Sequence, residues 1–364
     1  MTHSSDPTTS TLVYVGTYTG GGSEGIYRFL LDETKAELHA DGLAVKSAHP
    51  SFLALSPDEK VIFACNEVLN ASGKKTGGVA GFRLDKASGS LELIGEGESG
   101  GQGTCYVSAA PDGSGALVAN YGSGDVSFVP VDATCKPAAQ PSAVGHHEGS
   151  SVVEKRQDAP HAHYIKPDPA GRWALAVDLG TDEIISYKLS RGTMDTSSPV
   201  VNKTPAGAGP RHLAFHPNQK FAYVANELDS TITAYGWDVE AGKLTEIESI
   251  STLPEGVDVT NYPAEVLVHP SGQYVYLSNR GHNSVAVFSV DEASGKLKLI
   301  GTEPTRGDHP RGMALHPKGH ILLVANQTDG NLVVYRVNSE TGLPEFASEW
   351  KSLDKPAAFL FVTR

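Results

Sequence analysis

Cysteine is scarce. The chain of 364 residues has three, Cys65, Cys105 and Cys135, with no C-x-x-C pair among them. An odd, widely spaced set argues against a disulfide framework and a thiolate zinc site, and the expected role is that of small buried apolar side chains. Long apolar runs are missing too. No stretch approaches the ~20 residues that a membrane span needs, and the opening MTHSSDPTTS lacks the apolar segment of a secretory leader. The expectation is a cytoplasmic protein with a disordered tail over residues 1–10. Basic residues are outnumbered, 29 against 42 acidic, for a net charge of −13. Such a field repels nucleic acid and anionic membrane, so neither is an expected partner, and an anionic ligand would need a local exception. Amphipathic helical periodicity is also lacking, since no segment keeps an i, i+3, i+4, i+7 apolar pattern over 12 residues without a glycine or proline.

Glycine and proline, by contrast, are abundant, at 39 and 22 residues, and they punctuate a repeat. The segments HPSFLALSPDEKVIFACN from His49, PRHLAFHPNQKFAYVAN from Pro210, YPAEVLVHPSGQYVYLSN from Tyr262 and HPRGMALHPKGHILLVAN from His309 share a proline, an apolar strand, a turn, a second apolar strand and an asparagine. In each, proline and asparagine stand 16 positions apart. Looser copies begin near Gly103 and Pro160, so the unit recurs about every fifty residues. A seventh copy is split: PAAFLFV from Pro356 supplies its first strand and TLVYVGT from Thr11 its second. Each unit continues into a third apolar run and an acidic, glycine-containing turn before a fourth. Seven four-stranded units with a divided seam predict an all-β, seven-bladed β-propeller, a single domain over residues 11–364 whose ring is closed by its own termini. The polar stretch 133–159 breaks the pattern and reads as a surface loop lying over one face.

Residues placed symmetrically about each hairpin turn share the open end of the blade. This pairs Arg211 with Glu227, Ser51 with Glu67, His163 with Leu179, Ala264 with Arg280 and Arg311 with Gln327, all at the mouth of the central channel. Three arginines thus converge in an acidic protein. Guanidinium forks match carboxylate and phosphate oxygens, so Arg211, Arg280 and Arg311 form an expected anion site. His163 and Glu227 are the groups available for proton transfer, with Glu67 and His161 beside them as substrate contacts. His161 lies two residues from His163 and is a second choice for its role. His216, His269 and His316 recur before the proline of the far turn and read as structural. His146 and His147 have no partner ligands at a recognisable spacing, so no metal or cofactor is expected. The run TYTGGGSEG leads into a strand rather than a helix and reads as a hairpin loop.

The strings VYVGTYT, APHAHYIKPDPAGRW, GPRHLAFHPNQKFAYVANEL and YLSNRGHNSVAVFSVD, in that order, resemble the seven-bladed propeller lactonases, which include bacterial 6-phosphogluconolactonases and the fungal carboxy-cis,cis-muconate cyclase. The resemblance spans the chain from Leu12 onward. It implies His163, Arg211, Glu227 and Arg280 as site residues and a small anionic lactone as substrate, hydrolysed in the pentose phosphate route. A muconate-type cyclase or isomerase would use the same ring on a dicarboxylate. A non-catalytic scaffold of the WD-repeat kind is a third reading, although the repeats lack a Gly-His…Trp-Asp pattern. Monomer and dimer are both compatible with the sequence.

Overall fold

The computed structural model describes residues 11–67 and 77–363, so the expected tail over 1–10 lies outside the described residues. Seven antiparallel sheets form the blades of a propeller. One blade, typical of the set, runs outward from the channel through Pro210–Phe215, Phe221–Asn226, Thr231–Asp238 and Lys243–Ser251. No helix occurs among the described residues, and hence none is long and apolar enough to cross a membrane.

The burial pattern explains the sequence pattern. Second strands such as Val61–Asn66, Phe221–Asn226 and Ile321–Asn326 are buried at every position, because both faces of a blade pack against neighbouring blades. They accordingly read as unbroken apolar runs. Outer strands such as Ser90–Glu98 bury only some positions and carry the charge.

The seam closes as expected. Pro356–Val362 is the innermost strand of the blade that Thr11–Thr17 continues, with Leu12 opposite Val362 and Gly16 opposite Ala358. At the far face, the histidines of the first turns join adjacent blades. His216 accepts the Asn218 N–H at Nδ1 and donates from Nε2 to the Gly272 carbonyl of the next blade at 2.9 Å. His316 has the same inner bond, from the Lys318 N–H at 3.2 Å. Its neighbour, however, is the split blade, where chain termini replace the hairpin turn. Glu33 stands in for the missing carbonyl. Its carboxylate lies 3.5 Å from His316 Nε2 and 3.0 Å from His320 Nε2, and it accepts a bond from Thr11 Oγ1 at 2.7 Å. These groups are close enough to hold a metal ion. The Lys318 N–H at Nδ1 leaves the proton of the neutral His316 ring on Nε2, which faces Glu33 across the seam without hydrogen-bond alignment.

Two expectations need correction. The stretch 133–159 is not one loop: Ala143–His146 pairs with Asp125–Pro130 as the outermost strand of its blade, and only the part beyond it crosses the mouth. Among the cysteines, Cys65 and Cys105 are buried, but Cys135 is partly exposed at a turn with φ 62°. The glycine run is a loop as expected, and Gly22 N–H donates to the Asp354 carboxylate at 2.8 Å.

Candidate active site

Where the innermost strands reach the channel mouth, six of the seven inner pairs shift register, at Cys105, His163, Arg211, Ala264–Glu265, Arg311 and Ala357. A bulge bends the strand and re-aims its side chain. This changes the pairing drawn from hairpin symmetry. Arg280 lies opposite Tyr262 rather than Ala264, and Asn226 lies opposite Pro210, leaving Arg211 unpaired in the ladder. The bulged side chains of Cys105, His163 and Arg311 nevertheless turn to the mouth, where they meet Tyr18, Glu67, Tyr121 and Glu227, each of which follows a second strand. Most of the resulting cavity wall comes from these two positions. A cavity of about 310 Å³ is lined by Tyr18, Glu67, Cys105, Tyr121, His163, Glu227, Arg280 and Arg311, with Gly103 and Gly122.

The floor is an aromatic plug. Phe52 and Tyr106 lie 4.0 Å apart between ring centres, Tyr106 and Tyr164 4.5 Å, and His212 packs edge-on to Tyr106 at 5.2 Å. It blocks the channel and keeps the charges above it away from bulk water. His212 is held in turn by Glu265, 3.0 Å from Nδ1. Burial in this plug pushes His212 down to about 4, so it is neutral at pH 7.

Glu227 is gripped by three guanidiniums. Arg280 Nη2 donates to Oε2 at 2.7 Å, Arg156 Nη2 donates to Oε1 at 2.5 Å, and Arg211 Nε lies 3.0 Å from Oε2. The Arg211 contact lacks hydrogen-bond alignment and is electrostatic; that side chain donates instead to the Ala264 carbonyl at 3.0 Å and contacts His212 Nε2 at 3.2 Å. Burial alone would raise the Glu227 carboxyl, but Arg280, Arg211 and Arg156 overcome it and hold the group far below the usual carboxylate range. Arg211, fully buried beside Arg280 and Arg311, falls to about 9. Glu227 is therefore a fixed anion that gathers arginines, and it is poorly suited to accept a proton at neutral pH.

Arg311 is arranged differently. Its guanidinium donates to the Tyr18 hydroxyl at 2.8 Å and sits 5.3 Å from the Tyr18 ring centre, with no carboxylate at ion-pair distance among the described residues. It is only partly buried and faces the cavity. Glu67 accepts long contacts from Tyr18 Oη at 3.3 Å and Ser51 Oγ at 3.4 Å. Burial raises its carboxyl above the ordinary value against the pull of Arg311. His163 is buried with Nδ1 unpartnered, and burial followed by Arg211, His212, Arg311 and Arg280 holds it well below an ordinary histidine.

All the expected site residues except His161 and Arg211 line the cavity, and Arg211 supports it from behind through Glu227. His161 stacks on Tyr121 at 4.5 Å and contacts its carbonyl at 2.9 Å, outside the cavity. The bulge at His163 breaks the strand alternation that would put both histidines on one face. Tyr18, Tyr121 and Cys105 occupy ring positions of the closing blade and of the blade built on Thr104–Ala109. The repeat marks those positions, but a search for charge passes over them. Arg156 lies in the non-repeating loop, where no spacing rule identifies it. His309, pushed down to about 4 by burial and then by Arg280 and Arg311, also stands near the rim.

Fold and site together define a propeller with an open, arginine-rich cup at one end of a plugged channel. Residues 12–361 match the family model described as lactonase, 7-bladed beta-propeller, and the chain belongs to this family. It is 38% identical over 298 residues to the 6-phosphogluconolactonase of Bacillus subtilis, covering 82% of this chain and 83% of that one. An uncharacterized Staphylococcus aureus protein is 32% identical over 302 residues, covering 82% and 84%. Among solved structures, the periplasmic gluconolactonase of Pseudomonas aeruginosa superposes with a TM-score of 0.90 at 29% identity, covering 97% and 99% of the two chains.

Proposed function

We propose that the protein is a cytoplasmic lactonase that hydrolyses a sugar lactone, with 6-phosphogluconolactone of the pentose phosphate route as the substrate. The observation that carries this reading is Arg311, a cavity-facing guanidinium with no carboxylate partner among the described residues, set beside Arg280 at the head of the buried arginine cluster. The family match and the Bacillus subtilis relative support the reaction class.

In this reading Arg311 and Arg280 receive the anionic substituent and the oxygen charge that develops on the lactone carbonyl. One positioned donor of this kind is typically worth ~10²–10³ in rate. Glu227 keeps Arg211 and Arg280 in place, and the plug below excludes water from the far side. The Pseudomonas aeruginosa relative bears the name of a gluconolactonase, so the phosphate is the point to test. Base uptake in a pH-stat, corrected for spontaneous hydrolysis, should show higher kcat/KM for 6-phosphogluconolactone than for its unphosphorylated analogue. Equal values would remove the phosphate from the assignment. No acceleration of either compound would remove lactone hydrolysis.

A further inference from the structure

We propose that Glu67 is the catalytic base of the site, taking a proton from the water that attacks the lactone carbonyl. The inference rests on the lactonase reading above and assigns the proton-transfer step within it. Two carboxylates line the cavity, and their surroundings differ. Glu227 is locked by Arg156, Arg211 and Arg280, and protonating it would leave three guanidiniums without their counter-charge. Glu67 has no guanidinium at ion-pair distance among the described residues. Its contacts from Tyr18 and Ser51, at 3.3 and 3.4 Å, are longer than the ~2.7–2.8 Å of a strong hydroxyl bond. It is the carboxylate free to exchange one of these contacts for water.

His163 is the competing base, and its charge balance argues against it. Taking a proton would make it a cation among Arg211, Arg280 and Arg311, which already oppose that form. Glu67 becomes neutral on protonation, and neutral is the form its burial favours. The Arg311–Tyr18–Glu67 chain also places the base next to the Arg311 guanidinium, so the attacking water and the bound anion meet at one wall.

The water oxygen bonds to the carbonyl carbon while one water proton passes to Glu67, and the carbonyl electron pair moves to oxygen beside the arginines. That pair then returns, the ring C–O bond breaks, and the departing alkoxide takes the proton back from Glu67. One water is consumed, and the hydroxy acid formed releases its carboxyl proton to solvent.

Glu67→Gln removes the base and keeps the shape. Its kcat should fall at least 100-fold with KM within threefold, and the acidic limb of the wild-type pH–kcat profile, with a midpoint above the ~4.3 of a free glutamate, should disappear. Glu67→Asp should recover part of kcat and keep an acidic limb, which a purely structural role would not produce and which serves as the readout if the glutamine variant does not fold. His163→Gln should keep the limb. A Glu67→Gln enzyme with kcat within threefold of wild type, or a limb abolished by His163→Gln and kept by Glu67→Gln, would overturn the assignment while leaving the lactonase reading intact. If the wild type accelerates no lactone, the failure lies in that reading and the assignment falls with it.

Discussion

Glu227 shows how a single side chain can organise a site without reacting in it. The three guanidiniums around it would repel one another, and a buried ionic cluster persists only when its charges and lone pairs are matched. Removing the carboxylate leaves Arg211 and Arg280 buried beside each other. Glu227→Ala should therefore cost about 3–5 kcal/mol of stability, as breaking a buried pair does, and cut kcat/KM more than tenfold. Denaturant midpoints and steady-state kinetics measured on one preparation check both. A variant with wild-type stability would mean that the arginines find other partners. Arg211, Arg280 and Glu227 were legible in the sequence because the repeat places other residue types at their positions. Arg156 was not, since it acts from a segment outside the repeat. The division of labour between Glu67 and Glu227 was hidden as well: it depends on which guanidinium reaches which carboxylate, and hairpin symmetry alone does not settle that.

At the scale of the element, the first hairpins Tyr262–Arg280 and Pro310–Asn326 do two jobs. The open end carries a bulge beside the mouth, and the turn end sets a glycine against the histidine of the preceding blade, where the Gly272 carbonyl accepts from His216. The turn needs a left-handed residue, which is Gly113, Gly171, Gly272 and Gly319 in four blades, at φ 72°, 67°, 79° and 83°. In Gly272→Ala the new methyl would meet His216 Nε2 at 2.6 Å, in a backbone region that costs a side chain about 1–2 kcal/mol. We expect this change to lower stability by at least that amount and to leave kcat unaltered, because the turn lies at the far face from the cup. Thermal unfolding and kinetics together distinguish this from an effect on the site. Strands and turns were legible because proline, glycine and asparagine mark every blade alike. The bulges were not, since one extra residue in an inner strand leaves no compositional trace, and so the predicted pairs were displaced by one or two positions.

For the molecule as a whole, ring closure and charge distribution decide the response to acid. His163 and His212 are buried as neutral imidazoles, with His212 at about 4 and His163 well below its ordinary value. A histidine depressed on folding contributes fully above its unfolded value of ~6.5 and loses that contribution as pH falls toward the folded value, at about 1.4 kcal/mol per pH unit. Glu227, also depressed, adds a loss of the same sign below ~4.3. Glu67, which is raised by burial, works in the opposite direction, as do Asp229 and Glu303. Stability should accordingly drop by on the order of 3–5 kcal/mol between pH 7 and pH 4.5, which urea midpoints at several pH values would show. A flat profile would contradict the buried, neutral state of these histidines. The net charge of −13 describes the outer surface, and the arginine cup is the local exception that an anionic ligand requires.

In the proposed reading, this cup binds an anionic lactone through Arg311, which has no carboxylate at ion-pair distance among the described residues. The most direct measurement is kcat/KM of Arg311→Ala on 6-phosphogluconolactone, set against wild type under the same correction for spontaneous hydrolysis. The account predicts a fall of at least 100-fold with the fold retained by circular dichroism. A value within threefold of wild type would contradict it.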